Sequence, residues 1–166
     1  MTLGRLLFLA LALAGCQAST TRPGFLPVPE VLTTEIRLEV PQATRLLAER
    51  LAADSFLIRR VEPRDGYLEG EWTRWPGWER ADGSTYNPSV TKLRAWVDPA
   101  HQFWSKLSVE IVYRSAADPS RDPRDFERSI TPSHTLYQRI EGVLRELTRQ
   151  HGNLVAEKPG ATPRTP

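Results

Sequence analysis

The stretch TKLRAWVDPAHQFWSKLSVEIVYRS, residues 91–115, decides the fold. Apolar side chains recur at every second position on both sides of a short connection, Pro99 to Phe103, which is the pattern of paired β-strands. The first strand is predicted over Thr91 to Asp98 and the second over Trp104 to Ser115. Because the connection is too short for a crossover, we expect an antiparallel hairpin with one buried face.

Three further strand patterns precede this hairpin. Thr34 to Val40 alternates apolar and charged residues, and Phe56 to Glu62 is joined to Tyr67 to Thr73 across an Asp-Gly turn. Trp72 falls on the apolar side of its strand and is expected in the core. Charged residues occupy the opposite side, so the second face of the sheet is predicted to be solvated. They are Arg59, Glu69, Glu71, Lys92, Arg94, Glu110 and Arg114.

Two helices are predicted from the remaining periodic segments. Pro41 suits the first turn of a helix that runs to about Asp54. A second helix is predicted from the Thr-Pro-Ser run at 131–133, with Thr131 or Ser133 as its cap, to about His151. The order strand, helix, four strands, helix predicts an α+β fold. We expect a two-layer sandwich in which an antiparallel sheet of about five strands carries two helices on one face.

A short apolar segment near the start of the chain ends in Leu13-Ala14-Gly15-Cys16, which holds the only cysteine of the sequence. Arg5 and the apolar run Leu6 to Ala12 give this segment the layout of a secretory leader. The motif resembles the lipobox of bacterial lipoproteins. That resemblance implies cleavage between Gly15 and Cys16 and acylation of Cys16 with palmitate-type chains. Two or more acyl chains make a stable membrane anchor.

These features divide the chain into four expected segments. Residues 1–15 are a signal peptide, 16–32 a Pro- and Thr-rich tether, 33–153 an α+β globular domain and 154–166 a disordered tail. Gln17 follows the lipidated cysteine at the position that sorts lipoproteins between membranes. By the rule known for that family, it implies an outer-membrane destination, with the domain facing the periplasm of the bacterial envelope.

Motifs for catalysis and metal binding are weak. Ser89-Val90-Thr91-Lys92 has the spacing of the penicillin-binding-protein motif, but it leads into a strand and lacks the companion motifs. Glu69 and Glu71 share a strand face with no evident cleft. The three histidines lack zinc-ligand spacing, and a net charge of +2 does not favour nucleic acid. We expect no catalytic residue, no metal, no cofactor and no nucleic-acid partner.

Four aromatic residues are candidate interaction residues. Trp75 and Trp78 lie between the two hairpins, Tyr86 follows them, and Trp96 falls on the charged side of its strand. Exposed aromatic rings engage protein grooves, glycan rings or membrane interfaces. The alternative is a loop that folds back to close one end of the core. The charged loop Asp118 to Asp125 is the other candidate docking surface.

The order of helix, four strands and helix, with a Trp-x-x-Trp pattern in the run Asp65 to Trp75, resembles the helix-grip repeats of the BamC-type outer-membrane assembly lipoproteins. The resemblance implies a helix-grip-like domain and an accessory role in envelope assembly, although this chain has one such unit instead of two. The leading expectation is a non-catalytic module that binds membrane lipid through acylated Cys16 and an envelope protein through its surface. Two alternatives stay open. They are a lipoprotein that binds a lipid or glycan in a cavity between helices and sheet, and a cell-envelope hydrolase.

Overall fold

The computed structural model describes residues 22–25 and 28–152. Within these ranges the chain forms eight strands and two α-helices, and the α+β class is confirmed. The elements are β1 (Leu32–Ile36), α1 (Val40–Ala53), β2 (Ile58–Glu62), β3 (Tyr67–Gly70), β4 (Thr73–Arg74), β5 (Glu79–Arg80), β6 (Val90–Pro99), β7 (Ser105–Arg114), a 3-10 helix (Pro123–Phe126), β8 (Glu127–Ser129) and α2 (Thr135–His151). The expected leader, cleavage site at Gly15 and Cys16, and tail 154–166 lie outside the described residues. Among the described residues, no helix is long and apolar enough to cross a bilayer.

The antiparallel sheet is built around the hairpin of β6 and β7, each of which is ten residues long. The principal strand order is β1-β7-β6-β3-β2. Three short strands extend it beyond the expected five, because β4 pairs with both β5 and β6 and β8 pairs with β7. No strand was predicted for β5 and β8, whereas β4 begins at Thr73, the last residue of the predicted strand Tyr67 to Thr73.

The core fills the space between one face of the sheet and the two helices. Its residues are the apolar positions of the period-two strands and the stripes of the helices, as predicted. Burial of each large aliphatic side chain contributes about 1.5–3 kcal/mol. Fully buried members include Ile36, Leu47, Leu51, Leu68, Leu107 and Ile140.

The beginning of α2 differs from its prediction. The Thr131 and Ser133 hydroxyls lie 3.0 Å apart and hydrogen-bond to each other, so neither caps the helix. His134 is the cap instead, because its Nδ1 accepts the Leu136 backbone N–H at 3.1 Å. Here a ring nitrogen caps the helix N-terminus, where a hydroxyl or carboxylate oxygen is the usual acceptor.

The prediction of a solvated outer sheet face is wrong for the central strands. Arg94 is 6% exposed and Glu110 is 1% exposed. Tyr67 and Trp96, which face each other across β3 and β6 on the same side, are fully buried. The central hairpin is therefore covered on both faces.

Residues 22–25, which we call the strap, cover Trp96. The Trp96 indole Nε1 donates a hydrogen bond to the Pro23 carbonyl at 3.0 Å. The Phe25 ring lies 4.9 Å from the Trp96 ring, centroid to centroid. An indole buried in this way needs both apolar cover and an acceptor for its N–H, and the strap supplies both. Part of the predicted tether is thus a structural element of the domain.

Arg22 places the start of the strap at one end of the sheet. Its guanidinium donates to the Asp65 carbonyl at 3.0 Å and forms an ion pair with Asp98 at 2.6 Å. Asp65 lies in the β2–β3 turn (63–66), and Asp98 lies next to the β6–β7 turn (100–104). We call this the hairpin end and the opposite end of the sheet the distal end. Arg22, where the described chain begins, therefore contacts the sheet at the hairpin end.

The strap contacts predict that Phe25→Ala destabilises the domain. Loss of the ring contact with Trp96 is expected to lower the free energy of unfolding by about 1–2 kcal/mol. Urea denaturation of the two proteins measures this difference. Phe103→Ala removes an exposed ring of the same kind and is expected to change stability by no more than about 0.5 kcal/mol. Equal effects of the two substitutions would contradict the structural role of the strap.

Alanine substitutions at two glycines are expected to have opposite effects on the stability of the domain. A Cβ on Gly66, where φ is +63°, would lie 2.0 Å from the Val97 carbonyl oxygen, so Gly66→Ala is expected to cost more than about 1 kcal/mol. A Cβ on Gly142 in α2 meets no atom within 4 Å, so Gly142→Ala is expected to stabilise by about 0.5–1 kcal/mol. Thermal unfolding of both variants checks the signs. A stabilised Gly66→Ala protein would contradict the tight β2–β3 turn.

Candidate functional site

The loop with Trp75 and Trp78 folds back onto the core at the distal end. Both indoles are half-buried and pack against the main core. Their rings meet edge to face at 5.1 Å, and the Trp78 ring lies 4.8 Å from the ring of Phe56. Such edge-to-face geometry is favoured for aromatic pairs. These two candidate interaction residues close one end of the sandwich, as the alternative interpretation of this loop proposed.

Arg139 of α2 holds this closure together. Its guanidinium lies 5.3 Å from the Trp78 ring centroid and 5.9 Å from that of Trp75. The same group donates to the Asp54 carboxylate at 2.8 Å, at the end of α1. The hydrogen bond that Arg139 donates to the Asp54 carboxylate raises the pKa of Arg139, and the charge of Asp54 adds to this effect. One cation thus links the Trp loop to both helices.

Trp72 is buried, but on the face of the sheet opposite to the predicted one. The pairing of β4 with β6 is shifted by one residue relative to the pairing of β3 with β6. Because side chains alternate along a strand, one extra residue moves Trp72 to the outer face. There it packs with Val90 and Val112, and the guanidinium of Arg114 lies 4.8 Å from its ring centroid. Gly83 makes this packing possible, because a Cβ there would lie 2.8 Å from the indole.

A cleft opens at the distal end next to Tyr86, which is 43% exposed. Its volume is 350 Å³. Of the four candidate aromatic residues, Tyr86 is the one that stays exposed, since Trp96 is fully buried and the other two are half-buried. The lining residues are Tyr86, Arg114, Ala116, Ala117, Asp118, Pro119, Arg121 and Pro123. We call this surface the distal cleft.

The loop Asp118 to Asp125 forms one wall of the distal cleft and has a defined shape. The Asp118 carboxylate accepts from the Ser120 backbone N–H at 2.9 Å and from its hydroxyl at 2.7 Å. The Ser120 hydrogen bonds lower the pKa of Asp118. Arg121 pairs with Asp125 at 3.1 Å, within the last turn before β8. An exposed loop whose own side chains order it offers a preformed surface to a partner.

On the outer face of the sheet, Arg94 binds two carboxylates. Its Nε donates to Glu110 at 2.6 Å, and its Nη2 forms an ion pair with Glu127 of β8. One guanidinium thus serves two carboxylates, and burial raises the pKa of Glu110 in spite of the Arg94 charge. A buried charge with no partner is strongly destabilising, so this network ties β8 and the preceding loop to the sheet. The sequence pattern did not predict the network, because it showed only charges opposite apolar residues.

The catalytic motif considered from sequence is not assembled. The Ser89 hydroxyl hydrogen-bonds to the Asn87 side chain, whereas the Lys92 ammonium forms an ion pair with Glu69 on β3. Burial would raise the pKa of Glu69, but the hydrogen bond and charge of Lys92 outweigh burial and lower it. A serine that acts as a nucleophile needs a base within hydrogen-bond reach, and Lys92 is engaged elsewhere. Among the described residues, no group of three His, Cys, Asp or Glu side chains is placed to hold a metal ion.

The layer between helices and sheet is tightly packed beside Phe56 and Leu136. The cavity there has a volume of 10 Å³. Cavities that hold small ligands are typically hundreds of Å³. This layer therefore has no room for a lipid or glycan at that place.

Comparisons with protein-family models and with curated proteins found no match to this chain.

The buried network predicts how stability depends on pH. Because the pKa of Glu110 is raised above about 4.5, the folded chain keeps this proton at pH values where the unfolded chain loses it. The stabilisation that Glu110 contributes is therefore complete below its ordinary pKa, and it is lost as pH rises through the raised pKa of the folded chain. Glu110→Gln removes this dependence. Urea denaturation across acidic and neutral pH should show the wild-type protein losing free energy of unfolding relative to the variant as pH rises.

Glu49→Gln, an exposed substitution on α1, is the matched control for this measurement. As an exposed substitution, it is expected to change the free energy of unfolding by no more than about 0.5 kcal/mol. A wild-type protein that gains stability relative to Glu110→Gln as pH rises would contradict the predicted direction.

Proposed function

We propose that this protein is a lipid-anchored lipoprotein of the bacterial envelope, facing the periplasm from the outer membrane, that acts as a non-catalytic interaction or assembly accessory module. In this proposal the distal cleft binds an envelope protein. The observation that carries it is the placement of exposed Tyr86 beside an ordered loop, at the end of the sheet away from the strap. Anchor and binding surface then occupy opposite ends of the domain.

The distance between anchor and cleft supports this arrangement. The chain from Cys16 to Arg22 can span at most roughly 20 Å when fully extended. The ten residues of β6 carry the sheet about 30 Å from the hairpin end to the distal end. A cleft held at that distance from the bilayer is accessible to a protein in the periplasm.

The composition of the distal cleft favours a protein partner. Tyrosine and arginine are the residue types that contribute most often to protein-binding energy, and the cleft has Tyr86, Arg114 and Arg121. Prolines in the loop lose little conformational entropy when a partner binds, because their backbone is already restrained. The cavity beside Phe56 and Leu136, at 10 Å³, is too small to support the ligand-binding alternative at that place.

Site-specific photo-crosslinking in cells tests the proposed function. A benzoylphenylalanine at position 86 is expected to form a discrete adduct with one envelope protein. The same residue at position 61, a 37% exposed site on β2, is the matched control and is expected to form none. Cys16→Ser should abolish the adduct at position 86, because it removes the anchor that brings the partners together.

A charge reversal tests whether the adduct depends on the distal cleft or on surface charge in general. Arg121→Glu is expected to lower the adduct yield at position 86 by roughly tenfold, the loss typical of one strong interface residue. Arg145→Glu, on an exposed face of α2, should leave the yield unchanged. Equal adducts from positions 86 and 61, or no acyl chain on Cys16 by mass spectrometry, would sink the proposal.

A further inference from the structure

The tip of the β6–β7 hairpin presents an unusual aromatic residue. Phe103 is 58% exposed, more than the other large hydrophobic residues exposed in the described chain. Its φ is +63°, in the left-handed region that bulky side chains rarely adopt and that glycine usually occupies in such turns. A large apolar ring in a disfavoured backbone conformation, directed to solvent, is not explained by the stability of the domain. Such outliers point to function.

The residues next to Phe103 hold the tip in a fixed shape. The Trp104 ring stacks on His101 at 5.0 Å, with an angle of 23° between the ring planes. The Trp104 backbone N–H donates to the His101 carbonyl at 2.9 Å, and its own carbonyl accepts from Ala100 at 3.1 Å. The turn is therefore closed by its own hydrogen bonds. Phe103 stands beside a half-buried tryptophan on an ordered hairpin.

The chain that leads to Cys16 meets the domain at this same end. Arg22 pairs with Asp98, which is two residues before the tip defined by residues 100–104. Only six residue steps separate Arg22 from Cys16, a span of at most roughly 20 Å. An acylated Cys16 lies in the bilayer surface. The hairpin tip must then stay close to that surface wherever the domain rotates.

We propose that the hairpin tip docks on the bilayer that holds Cys16, with Phe103 inserted among the lipid headgroups and acyl chains. This inference rests on the proposed lipid anchor. The occupant is a lipid surface because the short connection to Cys16 keeps a bilayer permanently within reach of the tip. Phenylalanine supplies the apolar area that such insertion requires, and tryptophan is enriched at the membrane interface. The strap and the tip then give the domain two points of attachment.

Two attachments fix orientation where one would leave the domain free to rotate. With the tip in the interface, the long β6–β7 hairpin stands away from the bilayer. The distal cleft, about 30 Å along the same strands, then faces the periplasm. Docking of the tip thus presents the cleft and limits the directions from which a partner approaches.

Spin labelling of the lipidated protein tests whether the hairpin tip docks on the bilayer. Cys16 is the only cysteine of the chain and its thiol is consumed by the lipid, so Gln102→Cys introduces a single free thiol at the tip. Ala117→Cys gives the matched label in the distal cleft. Mature protein is purified from membranes and reconstituted in vesicles of phosphatidylethanolamine and phosphatidylglycerol. Collision rates of each nitroxide with oxygen and with a water-soluble nickel chelate then report its depth.

The expected result is a higher ratio of oxygen to nickel collisions at position 102 than at position 117. Phe103→Ser, in the protein labelled at position 102, should lower the ratio of docked to undocked domain by roughly tenfold or more. Phe103→Leu keeps an apolar side chain and should preserve docking. Neither substitution changes a residue of the buried core, so a loss of docking would not result from unfolding.

Three outcomes overturn the inference in distinguishable ways. If the acylated protein floats with the vesicles but position 102 is as accessible to nickel as position 117, the anchor stands and the docking is wrong. If mass spectrometry finds no acyl chain on Cys16, the proposed anchor fails and docking fails with it. If the position 102 label in soluble Cys16→Ser protein becomes shielded as protein concentration rises, a second copy of the chain is the occupant instead.

Discussion

The central hairpin of β6 and β7 is buried on both faces, and the rest of the structure depends on the cover of its outer face. Helices α1 and α2 cover the inner face by ordinary apolar packing. The outer face carries Trp96, Arg94 and Glu110, which require a hydrogen-bond acceptor and charge partners. A polar group buried there without a partner would destabilise the fold by several kcal/mol. The segments that cover the outer face must therefore bring matching groups. The strap brings a carbonyl, and β8 brings Glu127.

The inner face was predictable because period-two and helical spacing report directly on burial. Alternation cannot tell a solvated face from one covered by a segment distant in sequence, so the outer face was misjudged. A signal was available in Tyr67 and Trp96, two large aromatic residues among the charges of neighbouring strands. Large aromatic side chains on a charged strand face indicate that something covers it. The sequence did not indicate that residues 22–25 supply this cover, because they lack any periodic pattern.

The candidate site was predictable only in part, for two physical reasons. A one-residue shift in register moved Trp72 to the opposite face, and register shifts of this kind leave no mark in hydrophobic spacing. Trp75 and Trp78 were correctly placed in a loop, but whether they face solvent depends on Arg139 and Phe56, which lie far from them in sequence. The distal cleft needed Tyr86 and the loop after β7 to meet, which is a tertiary contact.

The strap connects the fold to the position of the domain relative to an anchored Cys16. Without the strap, the free chain would run from Cys16 to Leu32, where β1 begins, and could extend roughly 50 Å. With the strap bound, the free chain ends at Arg22 and extends roughly 20 Å. The strap covers Trp96, and Trp96 packs against Tyr67 where β3 pairs with β6. In the proposed lipidated protein, the bound strap would therefore shorten the free connection to Cys16, and the contacts that bury Trp96 would hold the hairpin end near the membrane.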